Sequence, residues 1–374
     1  MKKFLNTDTL DRLLQIIIIC FMAIIVLTIL ESCEAEHIKK EEKRDMAKSL
    51  PLCTLNQAGE DDMNIVFLPE GYTAEQMDVF MQEVMLAWKI LRQTKPYSHS
   101  LDKINVYYST ALASASDTIG SGHTAFGMAT PQPHKAYCKI TIDSVSNVMK
   151  RLALPVEKTI MVIMVNSGKD THIGYTLVTA PSPNMSLPET VIIRSLFCSD
   201  PAAFTHEMGH AVGLLADEYY YNDENFVFGE KESTDLLKWQ KDGVYLNVSV
   251  SSDATKVYWS QFINDEDFAD EKIGIYEGGD TYPNGVYRST FNSVMRYHFQ
   301  SDFYNALDRY LIYRRIENMH SGRDISYEEW KQIDLAHVQS PIDWHSLTGG
   351  ITRSHDHTPM NHQLFTEPDV IWVE

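Results

Sequence analysis

The chain has 374 residues, of which 44% are hydrophobic and 11% aromatic, and its formal net charge at pH 7 is −19. This hydrophobic content supports a packed core and excludes a largely disordered chain. The charge excludes nucleic acid as a partner, because so acidic a surface repels a phosphate backbone. The roughly 300 residues beyond the N-terminal segment suit one large domain or two small ones, and we expect one.

The N-terminus predicts an exported and tethered protein. An apolar run from Leu13 to Leu30 follows two lysines and suits a signal sequence or a short membrane span. The segment Leu30-Glu31-Ser32-Cys33 resembles a bacterial lipobox, in which the cysteine is lipidated and becomes the mature N-terminus. We expect residues 1–33 to be a lipoprotein signal peptide with lipidation at Cys33, or else an uncleaved anchor helix. Either one holds the protein to the membrane of the bacterial cell envelope.

The remaining chain predicts three regions. Residues 34–59 are expected to form a charged linker, because Lys39 to Asp45 is charged throughout. A catalytic domain is expected over residues 60–345, followed by a C-terminal tail over residues 346–374.

Three cysteines fall in the exported part of the chain: Cys53, Cys138 and Cys198. Because three thiols cannot all pair, one disulfide with one free thiol and three buried thiols both stay open.

The domain opens with predicted strands and helices in alternation. Asn64 to Leu68 predicts a buried strand, and Thr73 with Gln76 has the pattern of a capping box that opens a helix. Apolar residues at three- and four-residue spacing predict the core stripe of that helix: Met77, Phe80, Met81, Val84, Met85 and Trp88.

Two further strands and one helix are predicted next. Ile104 to Ser109 and Ile160 to Asn166 have the composition of strands, and Ser144 to Leu152 has that of a helix. Strands that alternate with helices predict an α/β chain of the mixed α+β kind, with a mixed sheet packed on the helix that follows.

The segment from Ser199 to Tyr219 predicts a metal-binding helix. Ser199-Asp200-Pro201 is typical of a helix start. His206 and His210 lie four residues apart, so both imidazoles occupy one helical face and can bind one ion. Glu207 lies about 60° from His210 around the helix, which favours a general base that acts on a water over a metal ligand. An apolar stripe is expected to pack against the core behind the ion: Phe204, Met208, Val212 and Leu215.

A third metal ligand is expected just after the helix. Gly213 can take a positive φ and turn the chain back toward the ion. A catalytic zinc site has three protein ligands and one open, water-filled position, and Asp217 is the favoured third ligand, with Glu218 as the alternative. Before the helix, Val191 to Ile193 predicts a strand edge on which a peptide substrate aligns.

After Tyr221 about seventy residues, rich in Asp, Glu, Tyr and Gly, precede the Met-turn described next, and we expect them to form an insertion that lines the cleft. Ser293-Val294-Met295-Arg296-Tyr297 resembles the Met-turn of metzincins, in which a methionine lies beneath the zinc. Beyond it, Asp302 to His320 predicts a helix that ends near Gly322, and Ser326 is expected to cap another helix.

Together these stretches resemble the IgA-peptidase family of zinc metallopeptidases, which is metzincin-like. The likeness covers most of residues 60–300 and depends on Asn64 to Thr73, His206 to Tyr219 and Glu277 to Arg296. It implies a twisted mixed sheet packed on the zinc-binding helix, with a helical C-terminal subdomain. One departure is Ala216, which occupies the usual position of the third metzincin histidine.

The resemblance implies a zinc-dependent endopeptidase that acts on protein or peptide substrates. In this hypothesis Zn²⁺ is bound by His206, His210 and Asp217, Glu207 takes the proton of the attacking water, and Tyr297 stabilises the oxyanion. The alternative is a membrane-tethered binding lipoprotein that keeps the fold and the zinc without hydrolysis. Glu207 argues against it, because a structural zinc site needs no acid to activate water.

Overall fold

The computed structural model describes residues 49–128, 140–166, 174–179, 185–195, 202–223, 225–297, 301, 303–342 and 370–371. The chain divides into Met1–Leu50 and a compact unit, Pro51–Glu374. The predicted signal peptide with Cys33, nearly all of the tail and most of the linker lie outside the described residues, as do Cys138 and Cys198. Cys53 is an exposed free thiol. No helix within the described ranges is both long and apolar enough to cross a membrane.

A sheet of seven described strands forms the centre of the compact unit. The strands lie in the order β1-β3-β2-β4-β6-β5-β10, and their bounds are β1 Cys53–Asn56, β2 Met63–Glu70, β3 Ile104–Tyr108, β4 Thr159–Val165, β5 Gly174–Thr179, β6 Thr190–Ser195 and β10 Val370–Ile371. Strands β3, β2, β4 and β6 are parallel to one another, β1 is antiparallel to β3, and β5 is antiparallel to β6 but parallel to β10. The sheet is therefore mixed, as the sequence predicts.

The two central strands are buried along their whole length. Every residue of β2 and β4 is buried, which is the pattern of parallel strands that are covered on both faces. Apolar runs such as Ile160 to Val165 satisfy this requirement because they offer no polar side chain to either face. The strand predictions for Asn64–Leu68, Ile104–Ser109 and Ile160–Asn166 are confirmed.

One predicted feature of the sheet is wrong. Val191 to Ile193 were expected to form an exposed strand edge, but they lie inside β6, which pairs with β4 on one side and with β5 on the other. Their backbone hydrogen bonds are therefore already used within the sheet. The strand nearer the border is β5, which pairs with the described residues of β10 at Val178 and Thr179.

Seven described α-helices surround the sheet: α1 Met77–Leu91, α2 Ile142–Leu152, α3 Ala202–Gly213, α4 Glu230–Lys241, α5 Val294–Tyr297, α6 Ala306–Ser321 and α7 Tyr327–Ala336. A 3₁₀ turn with the predicted capping-box bond, from Thr73 N to Gln76 Oε1 at 3.1 Å, precedes α1. Met81 and Met85 were expected in the core but are 38% and 41% exposed. The buried face of α1 instead includes Leu86 and Ile90.

Helix α3 packs between the sheet and the C-terminal helices. The ring of Phe204 lies 6.1 Å from the ring of Phe67 on β2, and α6 crosses the other side of α3. Asn305 caps α6 at its start and Gly322, with φ of 69°, ends it, while Ser326 caps α7. The predicted helical C-terminal part is confirmed, and it fixes α3 against the sheet.

A second, small antiparallel sheet follows α4 in the predicted insertion. It contains β7 Val248–Ser249, β8 Tyr276–Gly279 and β9 Tyr282–Arg288, in the order β7-β9-β8. The turn between β8 and β9 bonds to the chain that leaves α3, with Asp280 N 2.7 Å from Asp217 O and Thr281 N 3.1 Å from Tyr219 O. The insertion therefore holds the segment in which the third ligand is predicted.

Candidate metal centre

Two histidines on α3 bring their ring nitrogens together. His206 and His210 are each 3% exposed, and their Nε2 atoms are 3.0 Å apart. Their ring planes are nearly perpendicular, at 86°. The spacing of one helical turn places the rings on one face, and the predicted stripe of Phe204, Met208, Val212 and Leu215 is fully buried behind them.

Asp217 reaches both histidines from the segment after the helix. Its Oδ1 atom lies 2.9 Å from His206 Nε2 and 3.2 Å from His210 Nε2, and the aspartate is 2% exposed. These three atoms form a group that could hold a metal ion. The structure therefore brings together all three predicted ligands, with Asp217 and not Glu218 in the third place.

The turn that returns the chain differs from its prediction. Leu214, not Gly213, adopts the positive φ, at 48°. A Cβ atom on Gly213 would lie 2.8 Å from Ile312 Cγ1 and 2.8 Å from Leu215 Cγ. Gly213 is thus required for close packing against α6. The turn is made at Leu214, whose backbone N donates to His210 O and whose carbonyl accepts a hydrogen bond from Tyr245 N.

The outer nitrogen of each imidazole faces a backbone carbonyl. His206 Nδ1 is 3.0 Å from Val294 O, and His210 Nδ1 is 2.6 Å from Leu215 O. A carbonyl only accepts, so these bonds place the ring protons on Nδ1 and leave lone pairs on both Nε2 atoms. The buried Asp217 Oδ1 makes no hydrogen bond. The two Nε2 lone pairs and this oxygen lie about 3 Å from one another, so they repel one another unless a cation lies between them. The donor set therefore fits a divalent metal.

The electrostatics of the three side chains agree with a cation site. Burial by itself lowers the pKa of His210, but the negative charge of Asp217 outweighs burial and raises the pKa to about 9. Burial likewise opposes ionisation of Asp217, yet the two imidazoles hold the pKa of that carboxyl well below its usual range. The pocket thus favours positive charge between its ligand atoms.

Glu218, the alternative third ligand, points away from the histidines. Its carboxylate accepts hydrogen bonds from Ser293 Oγ and, at 3.3 Å, from Asn305 Nδ2. Its backbone N donates to Met295 O at 3.0 Å. Glu218 therefore ties the segment after α3 to the Met-turn.

Met295 lies directly beneath the metal-binding helix. It is fully buried, and a Cβ atom added to Gly209 would stand 2.4 Å from its sulfur. Gly209 is the helix residue between the two histidines on the inner face, so the absence of a side chain there lets the methionine approach. The placement matches the predicted supporting position of Met295.

Glu207 is buried beside the histidines and is held by the sheet. Its Oε2 atom accepts a hydrogen bond of 2.7 Å from Thr176 Oγ1 on β5. A Cβ atom on Gly174 would lie 3.3 Å from Glu207 Oε1 and 2.9 Å from Arg194 Nη1, so the carboxylate and this guanidinium both lie against that glycine. One carboxylate oxygen is thereby oriented by strand β5.

Tyr297 lies at the end of α5 and is half-buried. Its hydroxyl is 3.4 Å from Arg296 Nη2, and the Arg296 guanidinium lies 4.6 Å from the centre of its ring. Stabilisation of an oxyanion by Tyr297 stays a prediction.

Tyr219 is a residue of the site that the sequence reasoning missed. Its ring stacks on His206, with centroids 6.3 Å apart and planes at 24°. Burial raises the pKa of Tyr219 well above its usual value, and the hydrogen bonds with Asp217 and Tyr221 add to this. The available signals were its position two residues after Asp217 and its place at the end of the family-like stretch His206 to Tyr219.

Comparison with known proteins agrees with this geometry. The family described as IgA Peptidase M64 matches residues 53–268, a range that contains the sheet strands up to β6, helix α3 and Asp217. Met295 lies beyond the matched range. No curated protein matches the chain in a sequence search. Because the match covers more than half of the chain, the predicted relationship is confirmed: the chain belongs to the IgA peptidase M64 family of metallopeptidases, and it is a peptidase.

Proposed function

We propose that the protein is a zinc-dependent endopeptidase in which Glu207 is the general base. The observation that carries the proposal is the convergence of His206 Nε2, His210 Nε2 and Asp217 Oδ1 within about 3 Å of one another, with the Glu207 carboxylate buried on the same helix.

The donor set favours zinc among the common divalent metals. Two imidazole nitrogens and one carboxylate oxygen are typical ligands of catalytic zinc, which keeps one position open for water. When bound, zinc supplies a Lewis acid that polarises a carbonyl and lowers the pKa of water. His206, His210 and Asp217 would hold it, and the carbonyls of Val294 and Leu215 would fix the two rings through their Nδ1–H groups.

Glu207 has the position of a proton carrier. Its Oε2 atom is occupied by the Thr176 hydroxyl, which leaves Oε1 to accept a proton from the attacking water and to deliver it to the leaving amine. A carboxylate held by a hydrogen bond loses less freedom when the reaction begins, because its orientation is already set. The buried surroundings also strengthen the interaction between Glu207 and the cation site.

Strand β5 is the proposed platform for the substrate. It carries Thr176, and among the residues that the structure describes β10 pairs with it at Val178 and Thr179. An extended peptide that pairs with the first residues of β5 would pass beside Glu207, with main-chain hydrogen bonds that tolerate many sequences. Such main-chain pairing would let the enzyme act on protein substrates without requiring a particular substrate side chain.

The test is a cleavage assay with unfolded protein and immunoglobulin as substrates, comparing the wild-type protein with Glu207→Ala and with Thr190→Val. Thr190 also bonds to α3, through Ala211 O at 3.2 Å, and serves as the matched control. We expect cleavage by the wild type and the control, and loss of cleavage with normal zinc content in Glu207→Ala. Normal zinc content without cleavage in all three proteins would instead support the binding lipoprotein.

We also propose that lipidation at Cys33 holds the enzyme to the bacterial envelope. The support is the lipobox-like segment that ends at this cysteine, after the apolar run Leu13 to Leu30. Metabolic labelling with a lipid precursor should mark the wild-type protein and leave Cys33→Ala unlabelled. Persistent labelling of the variant would contradict the assignment.

A further inference from the structure

Two buried arginines lie near the ring of Tyr220, the residue that follows Tyr219 in the chain. Arg288 at the end of β9 is 2% exposed, and Arg296 in α5 is 5% exposed. Their guanidinium carbons lie 5.8 Å and 5.7 Å from the centre of the same ring, that of Tyr220. The two cations therefore share one aromatic neighbour.

Neither arginine has a carboxylate partner among the residues that the structure describes. Arg288 Nη1 donates to Glu277 O, at 2.7 Å, and to Gly278 O, while Arg296 Nη1 donates to Phe291 O. The Nε atoms of both side chains are buried without a hydrogen bond. Backbone carbonyls thus satisfy part of each guanidinium but neutralise neither charge.

Two unpaired buried cations are costly, since each loses its hydration and repels the other. Burial lowers the pKa of Arg288, and the neighbouring Arg296 lowers it further. Among the described carboxylates, the charge of Glu218 acts on Arg288, and this carboxylate is already bonded to Ser293 and Asn305. A neutral donor could fill a purely structural role here without the cost of a buried charge. The two buried guanidinium groups therefore indicate that an anionic ligand binds between or beside them.

The pair lies close to both solvent and the metal centre. Phe291 is 65% exposed, with the Arg296 guanidinium 4.6 Å from its ring, and Tyr220 and Tyr276 are half-buried, so aromatic rings beside the two cations also reach solvent. Tyr220 follows Tyr219, which stacks on His206. A group bound beside Tyr220 would therefore lie next to the residue that stacks on His206.

We propose that Arg288 and Arg296 bind a carboxylate of the peptide substrate, from an acidic side chain or from the C-terminus. The inference rests on the proposed function, whose specificity it defines. Guanidinium groups present a planar fork of donors that matches a carboxylate. In a chain with a net charge of −19, which repels acidic peptides at long range, such a pair is the local attraction that an acidic group requires.

The test compares matched peptides that differ in one group. One arm replaces Glu by Gln at each position around the cleavage site, and the other replaces the terminal carboxylate by an amide. The wild type should prefer one of the charged forms by about tenfold, as expected for hydrogen bonds to a charged group. In Arg296→Gln this preference should fall to near one, and in Arg296→Lys it should be intermediate.

Arg92→Gln is the matched control, because Arg92 also stacks on an aromatic ring, 5.3 Å from that of Trp88. It should keep the wild-type preference. The proposal is overturned if Arg296→Gln slows the cleavage of charged and neutral peptides equally, which would indicate a purely structural role for Arg296. It is also overturned if the wild type has no preference in either arm.

A binding measurement separates this inference from the proposed function. N-acetylglutamate amide should raise the melting temperature of the wild-type protein more than N-acetylglutamine amide, and the difference should vanish in Arg296→Gln. Carboxylate binding without any cleavage would contradict the proposed endopeptidase activity and support the anion site. Cleavage without a carboxylate effect would keep the endopeptidase and remove the anion site.

Discussion

The sulfur of Met295 occupies the space in which a side chain of residue 209 would begin. A Cβ atom on Gly209 would lie 2.4 Å from this sulfur and 3.0 Å from Tyr304 Cε1. Helix α3 and the Met-turn are thus in contact at the residue between the two histidines, and a change on either side of the contact shifts the ligands.

Gly209→Ala should destabilise the protein by about 1–3 kcal/mol, because the added methyl group overpacks a closed core. Zinc affinity should fall with it, since the histidines lie on either side of the clash. Thermal denaturation and metal analysis would measure both effects. In the double variant Gly209→Ala with Met295→Ala, the combined loss should be smaller than the sum of the two single losses. Simple additivity would mean that the contact is not formed.

Asp217→Ala should lower the affinity for zinc, whereas Glu218→Gln should lower the stability of the fold. We expect Asp217→Ala to lower zinc affinity by at least about a hundredfold, because its oxygen completes the donor set. Glu218→Gln should retain zinc and lose about 1–2 kcal/mol of stability, through its bonds to Ser293 and Asn305. Isothermal titration with zinc, together with denaturant unfolding, would measure both. Loss of zinc in Glu218→Gln alone would reverse the ligand assignment.

Thr176→Val should lower kcat by about tenfold with zinc content unchanged, because the 2.7 Å bond that orients Glu207 is lost. The steady-state kinetics of peptide cleavage would measure the effect. Thr190→Val is again the matched control, since it removes a buried threonine bond to the same helix without touching the carboxylate. An equal decrease in the two variants would indicate a general loss of packing.

Stability should decline as the pH falls below about 6.5, through His99. The ring is stacked between His337, at 4.5 Å, and Tyr313, and neither ring nitrogen has a hydrogen bond. Burial lowers the pKa of His99 to about 4, and the charge of His337 adds to this.

The unfolded chain therefore binds the His99 proton first as the pH falls, and unfolding takes up a proton between pH 6.5 and about 4. The resulting loss approaches about 2 kcal/mol at the lower limit of this window. His99→Phe keeps the stack and should flatten the melting temperature between pH 7 and 4, whereas the exposed His123→Phe should not. Identical pH profiles for all three proteins would refute this assignment.

Much of the architecture follows from local patterns. Uniformly apolar runs such as Ile160 to Val165 favour strands that are covered on both faces, as in a parallel sheet. The caps at Ser326 and Gly322 bound the helices as expected, because capping is decided by neighbouring residues. Local reasoning was less reliable for α1, where Met81 and Met85 are exposed. Apolar periodicity does not state how much of a helix its neighbours cover.

The sequence by itself determined the pair of imidazoles, since a spacing of four residues on a helix places them on one face whatever surrounds them. Only the tertiary structure placed Asp217, rather than Glu218, beside the two histidines, assigned the turn to Leu214 and placed Val191 to Ile193 inside the sheet. It also brought Arg288 and Arg296 to one tyrosine ring. These outcomes depend on contacts between residues far apart in the chain, and such contacts have no local pattern because long-range packing selects among conformations that are locally equivalent.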